Sequence, residues 1–136
     1  KASTVERYLG TETANRAVPN RTAIDILGID KVSNGTDYPV NVLNPFVGLY
    51  IAVTRKDPEG RVYGKDQAIS REEALRLYTQ SSAYATFDER VKGSLEVGKL
   101  ADMVVIDRDY MAVPEEEIKE IKPVMTIVNG DIVYKL

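Results

Sequence analysis

Asn129-Gly130 stands between two short apolar runs, residues 124–128 and 132–134, and no other feature restricts the fold of this chain more. Asn-Gly suits a type I′ turn, whose twist matches that of paired strands, so these runs form an antiparallel hairpin. Residues 103–106, Met-Val-Val-Ile, add another strand, expected to be buried. β structure therefore belongs to the end of the chain, beyond Gly98.

The earlier part has helical periodicity. Ser3 is placed to cap a helix through Val5, Tyr8 and Leu9 that Gly10 ends, and residues 22–27 form a short helix closed by Gly28. A short strand over residues 30–33 then leads into a Gly35-Thr36-Asp37 turn. Asn44 caps a strongly amphipathic helix with Phe46, Val47, Leu49, Tyr50 and Val53 on one face. Ser70-Arg71-Glu72-Glu73 reads as a capping box. It opens a helix that runs to about residue 84, with Ala74, Leu75, Leu77 and Tyr78 inward. Pro114 and three glutamates, Glu115 to Glu117, make a solvated first helical turn rather than a metal site. This order suggests two structural parts, residues 1–92 and 93–136, with the boundary near 90–98.

Composition removes several functions. There is no cysteine and no histidine among 136 residues, so disulfides, thiolate chemistry, serine–histidine dyads and histidine metal clusters are all absent from the chain. Absent cysteine fits a cytoplasmic protein. A net charge of −3 without a basic stripe argues against nucleic acid. No apolar run approaches the ~20 residues that span a bilayer, so no membrane segment is expected. The chain is too short for a complete eight-stranded α/β barrel, which takes ~250 residues. It does not begin with methionine, and is expected to be cut from something longer.

Asp37 is the principal candidate for chemistry. A carboxylate just past a strand, in a glycine-containing turn, can ligate a metal or accept a proton from water. It can equally bond to its own backbone, as aspartates in turns do. Tyr38 and Tyr50 lie near it in sequence and are candidates to line a substrate pocket, with packing as the alternative. Asp102 is expected to accept backbone N–H groups of the preceding turn. Gly93 and Gly98 are expected to need unusual backbone angles. Arg71, Arg76 and Arg90 suit either an anionic substrate or an exposed helix face.

Several segments, in order and spacing, resemble one enzyme family. They are Asn34-Gly35-Thr36-Asp37-Tyr38-Pro39-Val40, the stretch from Asn44 to Arg55, Ser70-Arg71-Glu72-Glu73-Ala74-Leu75-Arg76, Lys92 to Asp102, and the terminal hairpin. Together they resemble the C-terminal portion of metal-dependent amidohydrolases, especially the amidohydrolase-3 branch. Thr36 stands for the usual serine and Tyr38 for the frequent tryptophan. The resemblance implies an α/β fragment: the last part of a (β/α)8 barrel, plus C-terminal strands of a small β-sandwich domain. It implies that Asp37 binds a metal and acts as general base in hydrolysis of amide or N-acyl C–N bonds. The intact enzyme would use one or two divalent metals, zinc first, with histidine ligands from earlier strands.

This chain alone is then expected to hold no metal and to be inactive. Its expected partners are a missing N-terminal segment, a small-molecule substrate in the intact enzyme, and other copies of itself. The rival readings are a non-catalytic binding or assembly module, and one half of a split enzyme completed by a histidine-bearing partner.

Overall fold

The computed structural model describes residues 2–136. Six helices come first: α1 (Ala2–Leu9), α2 (Thr11–Asn15), α3 (Asn20–Leu27), α4 (Pro45–Thr54), α5 (Arg71–Tyr78) and α6 (Gln80–Ala85). Three strands follow, β1 (Met103–Ile106), β2 (Pro123–Val128) and β3 (Asp131–Lys135), forming an antiparallel sheet in the order β1-β2-β3. The architecture is thus a small α/β arrangement.

The hairpin forms as its sequence requires. Asn129 (φ 51) and Gly130 (φ 86) both sit in the left-handed region that a type I′ turn demands. Asp102 helps to hold this turn, because the Asn129 N–H donates to its Oδ1 at 2.7 Å. Its partner is therefore the hairpin turn, and not the preceding one as expected. The sheet is less covered than its sequence suggested. In β1, expected to be buried, Val104 and Val105 are 52% and 45% exposed. Adjacent strand residues point to opposite faces, so neither face of β1 is fully covered.

The centre of the structure is α4. Asn44 accepts from the Phe46 N–H at 3.0 Å and Pro45 occupies the first turn, as a capped N-terminus prefers. The helix is apolar around its whole circumference, which corrects the amphipathic expectation. Phe46, Leu49, Tyr50, Ala52 and Val53 are buried, as in a helix covered on more than one side. Leu49 and Val53 share one buried cluster with Ile24, Leu77, Tyr110, Ile118 and Ile121, so residues from both ends of the chain build this core.

The capping box of α5 is complete. The Glu73 N–H donates to Ser70 Oγ at 3.1 Å, and the Ser70 N–H donates to Glu73 Oε2 at 2.9 Å. Ala74 and Leu77 are fully buried, whereas Leu75, expected inward, is 41% exposed. The single helix expected to about residue 84 breaks at Thr79 (φ −124, ψ −88). Ser82 Oγ donates to the Leu77 carbonyl at 2.7 Å, supplying the kind of side-chain alternative that interrupts a helix.

The strand expected over residues 30–33 is absent. Ile29–Lys31 is a 3₁₀ turn, and the chain runs irregularly from Val32 to Asp37. A strand needs a partner for its N–H and C=O groups. Here the N–H groups of Lys31 and Val32 turn back on the chain, to the Gly28 carbonyl at 3.1 Å and the Ile29 carbonyl at 3.3 Å. The flanking residues are tied elsewhere: Ser81 Oγ donates to the Ile29 carbonyl at 2.8 Å, and the Asn34 N–H donates to the Leu77 carbonyl at 3.2 Å. Gly93 and Gly98 do have unusual angles, each with φ 94. At Gly93 a side chain would also collide, since a Cβ would lie 2.7 Å from that of Ala83.

No helix among the described residues is long and apolar enough to cross a membrane.

Candidate functional site

The loop between the 3₁₀ turn and α4 carries Asp37, and local bonds fix its path. Arg76 donates to Asp30 at 2.6 Å at the start of the loop, and the Asn34 N–H bond ties its middle to the end of α5. Asp37 lies at φ 56, a left-handed angle that aspartate tolerates better than most residues. Its carbonyl accepts from the N–H groups of Val40 at 2.8 Å and Asn41 at 3.4 Å, while Asn41 Nδ2 donates to the Thr36 carbonyl at 2.8 Å. The loop is thereby closed on itself with Asp37 at its bend. Asp37 also makes a further interaction beyond these.

Asp37 lines a cleft of about 430 Å³ that runs along α4. Val47, Gly48 and Ile51, spaced as neighbours on one helix face, form part of its wall, with Tyr78 of α5 beside them and Arg55 at the far end. The volume is that of a small-molecule site.

Arg55 follows α4 in a left-handed conformation (φ 61), with its side chain buried. Its guanidinium donates to the carbonyls of Tyr63 (3.0 Å), Val18 (2.9 Å) and Ala17 (2.7 Å). Burial pulls its pKa below the ordinary arginine value. Beside it, Asp57 accepts from Arg61 Nε at 2.9 Å and from two backbone N–H groups. Burial raises the Asp57 pKa, and these bonds lower it by more.

The two tyrosines proposed from sequence do not join this cleft. Tyr38 is 63% exposed, and Tyr50 is 5% exposed on the opposite side of α4. The Tyr50 hydroxyl donates to Glu116 Oε2 at 2.8 Å, Lys119 Nζ stands 4.8 Å from its ring centre, and Lys56 pairs with the other Glu116 oxygen. That corrects the reading of Glu116 as merely solvated: its bonds with Lys56 and Tyr50 hold its carboxyl below the usual range. Arg71 is also structural. It donates to the carbonyls of Tyr110 (2.7 Å) and Val113 (2.6 Å), and the Tyr110 hydroxyl returns a bond to the Arg71 carbonyl at 2.9 Å. Burial pushes the Tyr110 phenol up to about 12.

Tyr78 was assigned to the core by periodicity alone, although it lines the cleft. The signal that could have found it is Gly48, a glycine inside an apolar helix, which marks a close approach.

Among the described residues no group of three or more histidine, cysteine, aspartate or glutamate side chains converges to hold a metal ion. A catalytic zinc takes about three protein ligands. The residues of this chain therefore do not by themselves fit the metal that the resemblance implies.

Comparison with known proteins agrees with the family resemblance read from the sequence. The profile of the Amidohydrolase family matches residues 3–134. The chain is 33% identical over 117 residues to an N-substituted formamide deformylase of Arthrobacter pascens, a match covering 86% of this chain and 21% of that protein. It is 30% identical over 106 residues to YtcJ of Bacillus subtilis (strain 168), which carries an amidohydrolase name; 76% of this chain and 20% of YtcJ are covered. Protein LONG AFTER FAR-RED 3 of Arabidopsis thaliana is 35% identical over 108 residues, covering 77% of this chain and 18% of its own length. The chain thus spans about a fifth of the length of the curated relatives it matches. No solved structure matches it. By the profile match over nearly all its length, this chain belongs to the amidohydrolase family.

Proposed function

We propose that this chain is the C-terminal portion of an enzyme that hydrolyses C–N bonds of amide or N-acyl type, with Asp37 as its proton acceptor. The observation that carries the reading is Asp37 at the bend of a self-closed loop, lining a small-molecule cleft. In a chain of this family, a carboxylate so held can take a proton from the attacking water and return it to the leaving nitrogen. Both transfers need only one oxygen of one side chain, within reach of each atom in turn. The helices would form the last part of the family's barrel, and the three strands part of a small β domain beside it. The name of the Arthrobacter relative makes N-substituted formamides the first substrates to try.

Zinc, or another divalent metal, is implied by the family resemblance. Its remaining ligands would have to come from outside this chain.

Asp37→Asn in the full-length protein is the test. The amide is nearly isosteric but cannot act as the base, so kcat should fall by about 10²- to 10⁴-fold, with the melting temperature unchanged. Steady-state kinetics on N-substituted formamides and N-acyl amines, beside a thermal melt, decide it. Full activity in the variant would remove Asp37 from the chemistry.

A further inference from the structure

Four tyrosines of this fold have buried or half-buried rings, and three of them have a protein partner for the hydroxyl. Tyr50 donates to Glu116 (2.8 Å), Tyr63 to Glu6 (2.7 Å) and Tyr110 to the Arg71 carbonyl (2.9 Å). Tyr78 differs. Its ring is half-buried, its hydroxyl has no hydrogen-bond partner among the described residues, and it lines the Asp37 cleft. The hydroxyl is not among the buried polar atoms without a partner, so it opens onto the cleft and is free to meet a ligand there.

The position of that hydroxyl is set by Gly48. A Cβ at residue 48 would lie 1.9 Å from Tyr78 Oη and 2.9 Å from Cζ, so any larger residue would displace the phenol. Glycine weakens a helix interior relative to alanine, and here it makes room for the tyrosine. The same end of α5 holds the Asp37 loop through the Asn34 N–H to Leu77 carbonyl bond of 3.2 Å. The phenol and the acid are thus carried on one connected frame.

We propose that Tyr78, seated on Gly48, is a substrate-binding residue whose hydroxyl donates to the carbonyl oxygen of a bound amide. The proposal rests on reading the cleft as that of a C–N hydrolase. Burial raises the Tyr78 pKa above the ordinary tyrosine value, so the group is protonated at neutral pH and available as a donor. An amide oxygen is a neutral acceptor with two lone pairs, which suits a neutral O–H. Asp37 supplies a proton acceptor in the same cleft, so the two groups meet complementary parts of an amide hydrolysis: oxygen for Tyr78, water and leaving nitrogen for Asp37.

The test uses the full-length protein and N-butylformamide as probe. Tyr78→Phe keeps the ring and removes only the donor, Gly48→Ala displaces the donor, and the double variant combines them. Binding is measured by calorimetric titration in an Asp37→Asn background to suppress turnover. Losing one hydrogen bond to a neutral acceptor should weaken binding about three- to tenfold in each single variant. The double variant should be no weaker than the worse single one, because both changes remove the same contact. In the Asp37 form, KM should rise by the same factor with kcat nearly constant, as loss of a bond shared by ground and transition states requires. Unchanged binding in Tyr78→Phe overturns the proposal, and so does failure of the parent to bind the probe. A lowered melting temperature with unchanged binding assigns Tyr78 to packing alone. If the parent binds the probe but hydrolyses neither formamides nor N-acyl amines, the hydrolase reading falls while the binding comparison still decides Tyr78.

Discussion

Arg55 shows how one side chain can hold segments distant in sequence. Its guanidinium joins the carbonyls of Ala17 and Val18, ahead of α3, to that of Tyr63 beyond α4. Removing it leaves three carbonyls without their charged donor, of which that of Tyr63 is buried. Arg55→Ala should cost about 2–4 kcal/mol, on the scale of lost hydrogen bonds to charged groups. Arg55→Lys should recover less than half, because a lysine ammonium lacks the planar fork that reaches three carbonyls together. Denaturant unfolding of the three proteins checks both expectations. An alanine variant as stable as the parent would mean that these bonds contribute nothing net. Nothing in sequence marks Arg55 for this role, since its partners lie as far as 38 residues away. Asp37 is the opposite case: its neighbours in sequence identified it, and its loop is closed mainly by bonds to those neighbours.

At the scale of elements, α5 depends on its start. Ser70→Ala removes one half of the capping box and should cost about 1 kcal/mol. Glu73 does more than cap, because it also accepts from Arg21 at 2.7 Å, linking α5 to α3. Burial raises the Glu73 pKa, but the bonds from Arg21 and the Ser70 N–H lower it by more, so its folded value lies below the free one. A carboxyl shifted downward stabilises the fold fully above its unfolded pKa, and the contribution is lost as pH falls through the folded value. Stability of the parent and of Glu73→Gln should therefore converge in acid and separate as pH rises from the lowered folded value to the usual glutamate value, with a constant gap above it. Urea melts from acid to neutral pH measure this. A constant gap across that range would show that the charge of Glu73 is immaterial.

The whole molecule exposes more apolar surface than its core explains. Tyr38, Val40, Val42 and Leu43 are exposed together before α4, and every residue of β3 is exposed. β1 and β3 are both edges of the sheet. Open edges pair with other strands, and large apolar patches rarely stay uncovered. The 136-residue chain alone should therefore associate, with a light-scattering mass that rises with concentration. A constant monomer mass, with no binding of an apolar dye, would mean that these surfaces need no cover.

What the sequence determined by itself is what short-range bonds decide. The Asn129-Gly130 turn, the Asn44 cap, the Ser70–Glu73 box and the end of α3 at Gly28 each involve residues within a few positions of one another. The motifs around Asp37 were legible for the same reason. Tertiary structure decided what depends on distant partners. Residues 30–33 had a strand's composition but gained no neighbouring strand, so Ser81 and Arg76 bound a turn there instead. From sequence Tyr50 was the pocket candidate and Tyr78 a core residue, and the structure exchanges them. Glu116 drew Tyr50 to one side of α4, and the bare backbone of Gly48 admitted Tyr78 on the cleft side. A period along a helix tells which residues share a face, but only the elements packed against that face decide whether it becomes core or site.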